Sequence, residues 1–118
     1  MPHDRVNDVY MLANRKHGAL YTGVTSDIVR RVHEHRIGTG SPFTRKYAVT
    51  RLVWYEVHDW YDGARVREKR IKAWRRAWKT RLIEARNPEW IDLYPYLNGG
   101  APLELNPPII APAPEDDV

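Results

Sequence analysis

Residues 8–25 read Asp8-Val9-Tyr10-Met11-Leu12-Ala13-Asn14-Arg15-Lys16-His17-Gly18-Ala19-Leu20-Tyr21-Thr22-Gly23-Val24-Thr25. The first six residues favour a strand, residues 14–18 carry turn chemistry, and residues 19–25 favour a strand again. Two such runs joined by a short polar loop predict an antiparallel hairpin. Alternation along the first strand puts Tyr10 and Leu12 on one face, and Val9 and Met11 on the other. Gly23 in the second strand leaves the backbone open to close approach by a neighbouring group.

Thr25 or Ser26 can cap a helix that follows, with Asp27 favourably placed in its first turn. That helix runs to about Ile37 and stops at Gly38-Thr39-Gly40. Residues 41–48 read as a loop around Pro42. Residues 49–57 read as a third strand, apolar on both faces at Leu52, Val53, Trp54, Tyr55 and Val57, which predicts a central position. From Asp59 or Asp62 through Arg86 the pattern predicts one long helix with the stripe Ala64, Ile71, Trp74, Trp78 and Leu82. Asn87-Pro88 ends it. The order β-β-α-β-α specifies an α+β fold, a small three-stranded antiparallel sheet flanked by helices.

A chain of 118 residues suits one domain. The absence of cysteine excludes disulfides, thiol catalysis and cysteine-based zinc sites. No apolar run follows the charges at the N-terminus, so no secretory signal is expected. No stretch approaches the roughly 18 apolar residues of a membrane span, and the expected location is cytoplasmic. All 19 lysines and arginines lie between Arg5 and Arg86; residues 1–86 hold 9 of the 15 acids, a net +10. Residues 87–118 hold the other 6 acids and no base, a net −6. A compact body at +10 attracts polyanions, above all nucleic acid. Seven of the nine prolines fall at or after Pro88, and the chain ends on Glu115-Asp116-Asp117 before Val118. Residues 99–118 therefore read as a proline-rich acidic tail, expected to be disordered.

Five residues could carry chemistry. Tyr10 and Tyr21 stand in neighbouring strands. Arg31 follows ten residues after Tyr21, and His35 shares its helix face one turn on. Glu68 borders the apolar stripe of the long helix. Singly, each has an ordinary reading: packed tyrosines, a solvated arginine, a buried histidine, a glutamate ion-paired with Arg65, Lys69 or Lys72. His33 and His35 do not share a helix face, which rules out a zinc pair. Glu56 is an acid in an apolar strand and is left outside the site. Trp54, Trp74 and Trp78 read as core, and Trp60 and Trp90, at element ends, could pack or stack on bases, with packing the expectation.

Together and in this order, these residues resemble the GIY-YIG nuclease family. Its two motifs stand here as Asp8-Val9-Tyr10 and Tyr21-Thr22-Gly23. The resemblance continues through residues 24–35, then Leu52-Val53-Trp54-Tyr55-Glu56, Arg67-Glu68-Lys69-Arg70-Ile71-Lys72 and Asn87-Pro88-Glu89-Trp90. It covers about residues 8–93 and is nearest to the small stand-alone bacterial members, which are similar to the nuclease domain of the excision-repair incision subunit. Asp8 replaces the first motif's glycine and Thr22 the second motif's isoleucine.

The resemblance implies a GIY-YIG nuclease fold over residues 1–98 and a metal-dependent DNA endonuclease of repair or recombination type, selective for structure rather than sequence. Glu68 would hold a single Mg²⁺ or Mn²⁺, with no other cofactor. Tyr21 would orient or deprotonate the attacking water with Tyr10 beside it. Arg31 would bind the scissile phosphate, and His35 would assist proton transfer or position a water. The products would be a 5′-phosphate and a 3′-hydroxyl. Arg45, Lys46, Arg51, Arg65, Arg75, Arg76 and Lys79 are the expected contacts to the DNA backbone, and a further protein could supply targeting. The alternative is a non-catalytic nucleic-acid-binding module on the same fold.

Overall fold

A computed structural model describes residues 7–97. The hairpin forms as its sequence requires. Strand β1 (Asn7–Ala13) pairs antiparallel with β2 (Leu20–Thr25), setting Tyr10 opposite Gly23 and Leu12 opposite Tyr21. The Asn14 side chain closes the loop by accepting the Ala19 N–H at 2.9 Å. On its other edge β1 pairs antiparallel with β3 (Arg51–His58), so the sheet order is β2-β1-β3.

The central strand is β1, buried at all seven positions, and not β3 as the run of apolar residues suggested. Two features explain why an edge strand reads as a central one. The register shifts between Met11 and Leu12, which face Trp54 and Leu52, so Val53 is an extra residue and the side-chain alternation slips there. The outer edge is also covered by the chain of residues 87–93. Leu93 N–H donates to the Leu52 carbonyl at 2.8 Å, Asn87 Nδ2 donates to the Val53 carbonyl at 3.0 Å, and Asp92 Oδ1 accepts the Leu52 N–H at 3.1 Å.

Helix α1 (Ile28–Arg36) is capped by Asp27, whose carboxylate accepts the Arg30 N–H; Thr25 instead accepts the Asp27 N–H. Residues expected as a loop form a short helix, α2 (Pro42–Tyr47). Ser41 caps it through the Thr44 N–H at 3.1 Å, Pro42 takes its first turn, and Ala48 ends it in the left-handed region at φ 54°. The expected single long helix is two, α3 (Tyr61–Ala73) and α4 (Arg76–Glu84), divided by extended backbone at Trp74 and Arg75. A straight helix over the predicted stretch would run roughly 40 Å, whereas the seven-residue central strand spans roughly 23 Å. The break lets both halves lie on the sheet, with Trp74 and Leu82 still in the core.

The two sheet faces carry separate cores. Val9, Met11 and Ala13 pack with Ala64, Ile71, Trp74, Leu82 and Ile83 from α3 and α4. Tyr10 and Leu12 pack on the opposite face with Val32, Val49, Leu52 and Leu93. The alternation read from β1 therefore holds. Trp54 and Trp90 are core, Trp78 is half-buried, and Trp60, expected to pack, is 78% exposed at the start of α3. The expected boundary at residue 98 and the acidic tail lie outside the described residues.

Candidate active site

Tyr10 is the hub of the site. It sits in the middle of the central strand with 1% of its surface exposed, and its ring lies across Gly23 of β2. A Cβ on Gly23 would come within 2.6 Å of the Tyr10 hydroxyl, so glycine is what permits this ring position. The rings of Tyr10 and Tyr21 stand 6.3 Å apart, and that of Tyr21 is 5.1 Å from His35. Burial raises the Tyr10 pKa, with the neighbouring Tyr21 and Glu68 adding to the rise and Arg31 opposing it. The hydroxyl is thus held protonated at any physiological pH, and it senses every other member of the expected set.

His35 projects from α1 onto Tyr10, its Nε2 at 3.1 Å from the phenol oxygen and its Nδ1 at 2.9 Å from Thr44 Oγ1. Burial first, and then the positive charge of Arg31, lower its pKa to about 4, so the ring is neutral at pH 7. The hydrogen-bond network assigns the tautomer. Thr44 gives its hydroxyl proton to the Ser41 carbonyl at 3.1 Å, leaving its oxygen to accept from His35 Nδ1–H. Nε2 then accepts from the Tyr10 hydroxyl. Gly40 makes room for the imidazole, since a Cβ there would collide with the ring.

Arg31 comes one turn before His35 on α1 and is half-buried. Its guanidinium donates to Glu34 at 2.9 Å and to the Gly40 carbonyl at 3.2 Å, and its charge acts on the Tyr10 hydroxyl. A polar cleft of about 190 Å³ opens beside it, lined by Thr25, Ser26, Asp27, Arg30, Arg31 and Glu34. Glu68 arrives from α3, 6% exposed, close enough for its charge to act on Tyr10. Its Oε2 pairs with Lys72 at 2.6 Å, one of the partners the sequence offered. The Lys72 side chain is half in solvent, so it can leave a carboxylate that already attracts a cation. Among the described residues no group of three or more His, Cys, Asp or Glu is arranged to hold a metal ion. A single buried carboxylate fits a hard divalent cation that keeps most of its water, and does not fit zinc.

Of the five residues singled out in the sequence, Tyr21, Arg31 and His35 gather around the Tyr10 phenol, and the charge of Glu68, on α3, acts on it. The expected cationic contacts divide. Arg45 and Lys46 lie exposed on α2 beside the site, and Arg65 lies one turn before Glu68 on α3. Arg75, Arg76 and Lys79 belong to the break and to α4, on the opposite sheet face from Tyr10. Arg51 holds the Trp90 carbonyl at 3.0 Å and Arg76 the Gly18 carbonyl, so both serve the fold. Glu56 is structural: Arg67 grips both its oxygens at 2.9 and 3.1 Å, and His58 adds a third contact at 2.8 Å. Thr44 and Gly40 are site residues that the sequence reading passed over. The pattern Ser41-Pro42-Phe43-Thr44, a cap followed by a helix-starting proline, was the signal that could have found the first.

The family model described as the GIY-YIG catalytic domain matches residues 7–81. A UPF0213 protein of Haloquadratum walsbyi is 42% identical over 66 residues, which cover 56% of this chain and 74% of that protein. A UPF0213 protein of Staphylococcus aureus is 38% identical over 69 residues, 58% of this chain and 84% of the relative. The solution NMR structure of a UPF0213 protein from Bacillus halodurans is 29% identical, covers 76% of this chain and 95% of its own, and superposes with a TM-score of 0.48.

Proposed function

This chain belongs to the GIY-YIG catalytic domain family, among its UPF0213 members, and from that premise we propose that it is an endonuclease hydrolysing DNA phosphodiester bonds with one divalent cation held at Glu68. The observation that carries the reading is the gathering of Tyr21, Arg31 and His35 around the buried Tyr10 hydroxyl, on which the charge of the buried Glu68 also acts. Charge supports the substrate class, since residues 1–86 carry 19 bases against 9 acids.

Each side chain then has a task its surroundings allow. Arg31 faces the cleft and is held on two sides, so it presents a fixed positive charge to a scissile phosphate and to the charge that grows as water attacks. Tyr21 is half-buried; its phenol oxygen orients the attacking water, and in its phenolate form it takes that water's proton. Tyr10 is too buried to ionise and holds its neighbours in place instead. His35 has both ring nitrogens engaged and acts through Tyr10 as a positioning residue. When bound, Mg²⁺ or Mn²⁺ at Glu68 would make water more acidic and neutralise charge on the leaving 3′ oxygen. No second DNA-reading module stands among the described residues, which favours selection by strand shape over a long recognition sequence, as suits repair or recombination.

The test is cleavage of labelled single-stranded, duplex, flap and fork DNA with Mg²⁺ or Mn²⁺. Wild type should cut, while Glu68→Ala should fall to background and still bind. Tyr21→Phe should lose most turnover; near-full turnover would remove the proton-accepting role. Salt-sensitive binding with no cutting of any substrate would leave a binding module on the same scaffold.

A further inference from the structure

Helix α2 does more than fix His35. Its buried residue is Thr44, and on its outer side Phe43 and Tyr47 stand one turn apart, 40% and 44% exposed. Their rings are 5.0 Å apart, and Phe43 lies nearly parallel to Tyr21, at 6.3 Å and 26°. An aromatic file therefore runs out of the site, Tyr21 to Phe43 to Tyr47. The two residues between Phe43 and Tyr47 that face solvent are cationic: Arg45 and Lys46, the latter with its ammonium 5.2 Å from the Tyr47 ring. The file is rigidly mounted. Ser41 caps the helix, the Asn14 amide reaches the Tyr47 carbonyl at 3.4 Å, and Thr44 is locked to Ser41 and His35.

Exposed rings gain nothing from water, and a file of them beside positive charge matches one kind of occupant. A nucleic-acid strand offers flat π faces at the spacing of its bases and phosphates alongside, the combination that stacking platforms use. A duplex keeps its base faces covered, so only unpaired bases can take the platform. We propose that Phe43 and Tyr47 stack an unpaired base next to the scissile phosphate of the DNA strand bound at Tyr21 and Arg31, with Arg45 and Lys46 on the flanking phosphates. This makes single-stranded or locally opened DNA the substrate class, without base preference, because every base has a π face. The inference rests on the nuclease reading for the identity of the strand, but its test does not require cutting.

The experiment is binding by fluorescence anisotropy, without divalent metal, of a labelled single strand, the same strand with consecutive abasic sites, and a blunt duplex of equal length. Wild type should bind the natural strand roughly tenfold more tightly than the abasic one. Phe43→Leu combined with Tyr47→Leu should erase that difference while leaving abasic binding unchanged, because the phosphate contacts remain. Phe43→Trp should retain or increase it, which guards against a variant that merely fails to fold. A 2-aminopurine in the strand should be quenched by wild type and not by the double leucine variant. Equal wild-type affinity for natural and abasic strands overturns the proposal, as does a preference that survives both leucines. A concentration-dependent dimer dissolved by Phe43→Leu, with no base-dependent binding, would assign the face to a second copy and overturn it too. Cutting without base-dependent binding sinks this proposal alone; base-dependent binding without cutting sinks only the nuclease.

Discussion

Gly23 and Thr44 both act on the Tyr10 hydroxyl, the first by leaving it room and the second through His35. Gly23 leaves the volume that the ring fills. Thr44 accepts from His35 Nδ1–H, which keeps Nε2 bare to receive the phenol proton. Thr44→Val keeps the shape and removes the acceptor, so a buried N–H loses its partner at a cost of roughly 1–3 kcal/mol. The ring can then shift its proton to Nε2, which turns the Tyr10 hydroxyl away from His35. Turnover should fall about tenfold with KM unchanged, Thr44→Ser should restore it, and ¹⁵N chemical shifts of the His35 ring should report the altered tautomer. Wild-type turnover with a shifted tautomer would disconnect the network from catalysis. Part of this was legible in the sequence. A glycine between strand residues announces close approach, and Arg31 and His35 declare a shared face by their spacing. Ser41-Pro42 marks Thr44 as a residue the helix cap engages, but a single hydroxyl has no periodicity to reveal that it also touches His35.

Among the elements, α2 shows where local chemistry outweighs composition. Its six residues begin with Pro42 and carry the basic pair Arg45-Lys46, which suggests a loop, yet Ser41 and Pro42 together form a strong helix start. Its end is less well served, since Ala48 holds φ 54° with a Cβ that disfavours the left-handed region. Ala48→Gly should stabilise the protein by about 1 kcal/mol, and Ser41→Ala should destabilise it by about 1 kcal/mol, both measured by urea unfolding. Ser41→Ala retains the carbonyl that takes the Thr44 proton, so a loss of turnover far beyond the loss of folded protein would show that the cap also tunes the site. The sheet and the long helix teach the complementary lesson. Residues 9–13 are as continuously apolar as β3, so the signal for a central strand was present twice, and only pairing could choose between them. The covering of β3 by Asn87, Asp92 and Leu93 is a contact across some 40 residues, beyond the reach of any local pattern. The break at Trp74 and Arg75 has no glycine or proline to mark it; it follows from the length of the sheet beneath.

At the scale of the whole molecule, two buried titrating groups on the Tyr10 face act on stability in opposite senses. His35 has its pKa lowered to about 4, so the unfolded chain takes up a proton that the folded chain refuses as pH falls below about 6.5. Stability linked to His35 is full above that pH and is lost on acidification toward 4. Asp8 is 3% exposed, and burial, partly offset by His58, raises its pKa to about 6. The folded chain holds its proton more tightly than the unfolded chain, so stability linked to Asp8 is full below about 4 and is lost as pH rises through 6. Each shift is worth on the order of 3 kcal/mol, and the windows overlap, so between pH 4 and 6 the two contributions largely cancel. Asp8→Asn removes one of the two. The variant should exceed wild type by on the order of 2 kcal/mol at pH 7.5, and the advantage should vanish by pH 4. Its unfolding midpoint should therefore fall steeply with acid over a range where wild type stays nearly level. Urea titrations at half-unit pH steps would measure this. A gain independent of pH would mean that Asp8 acts through packing alone, while an advantage that grew toward acid would reverse the sign derived from its burial.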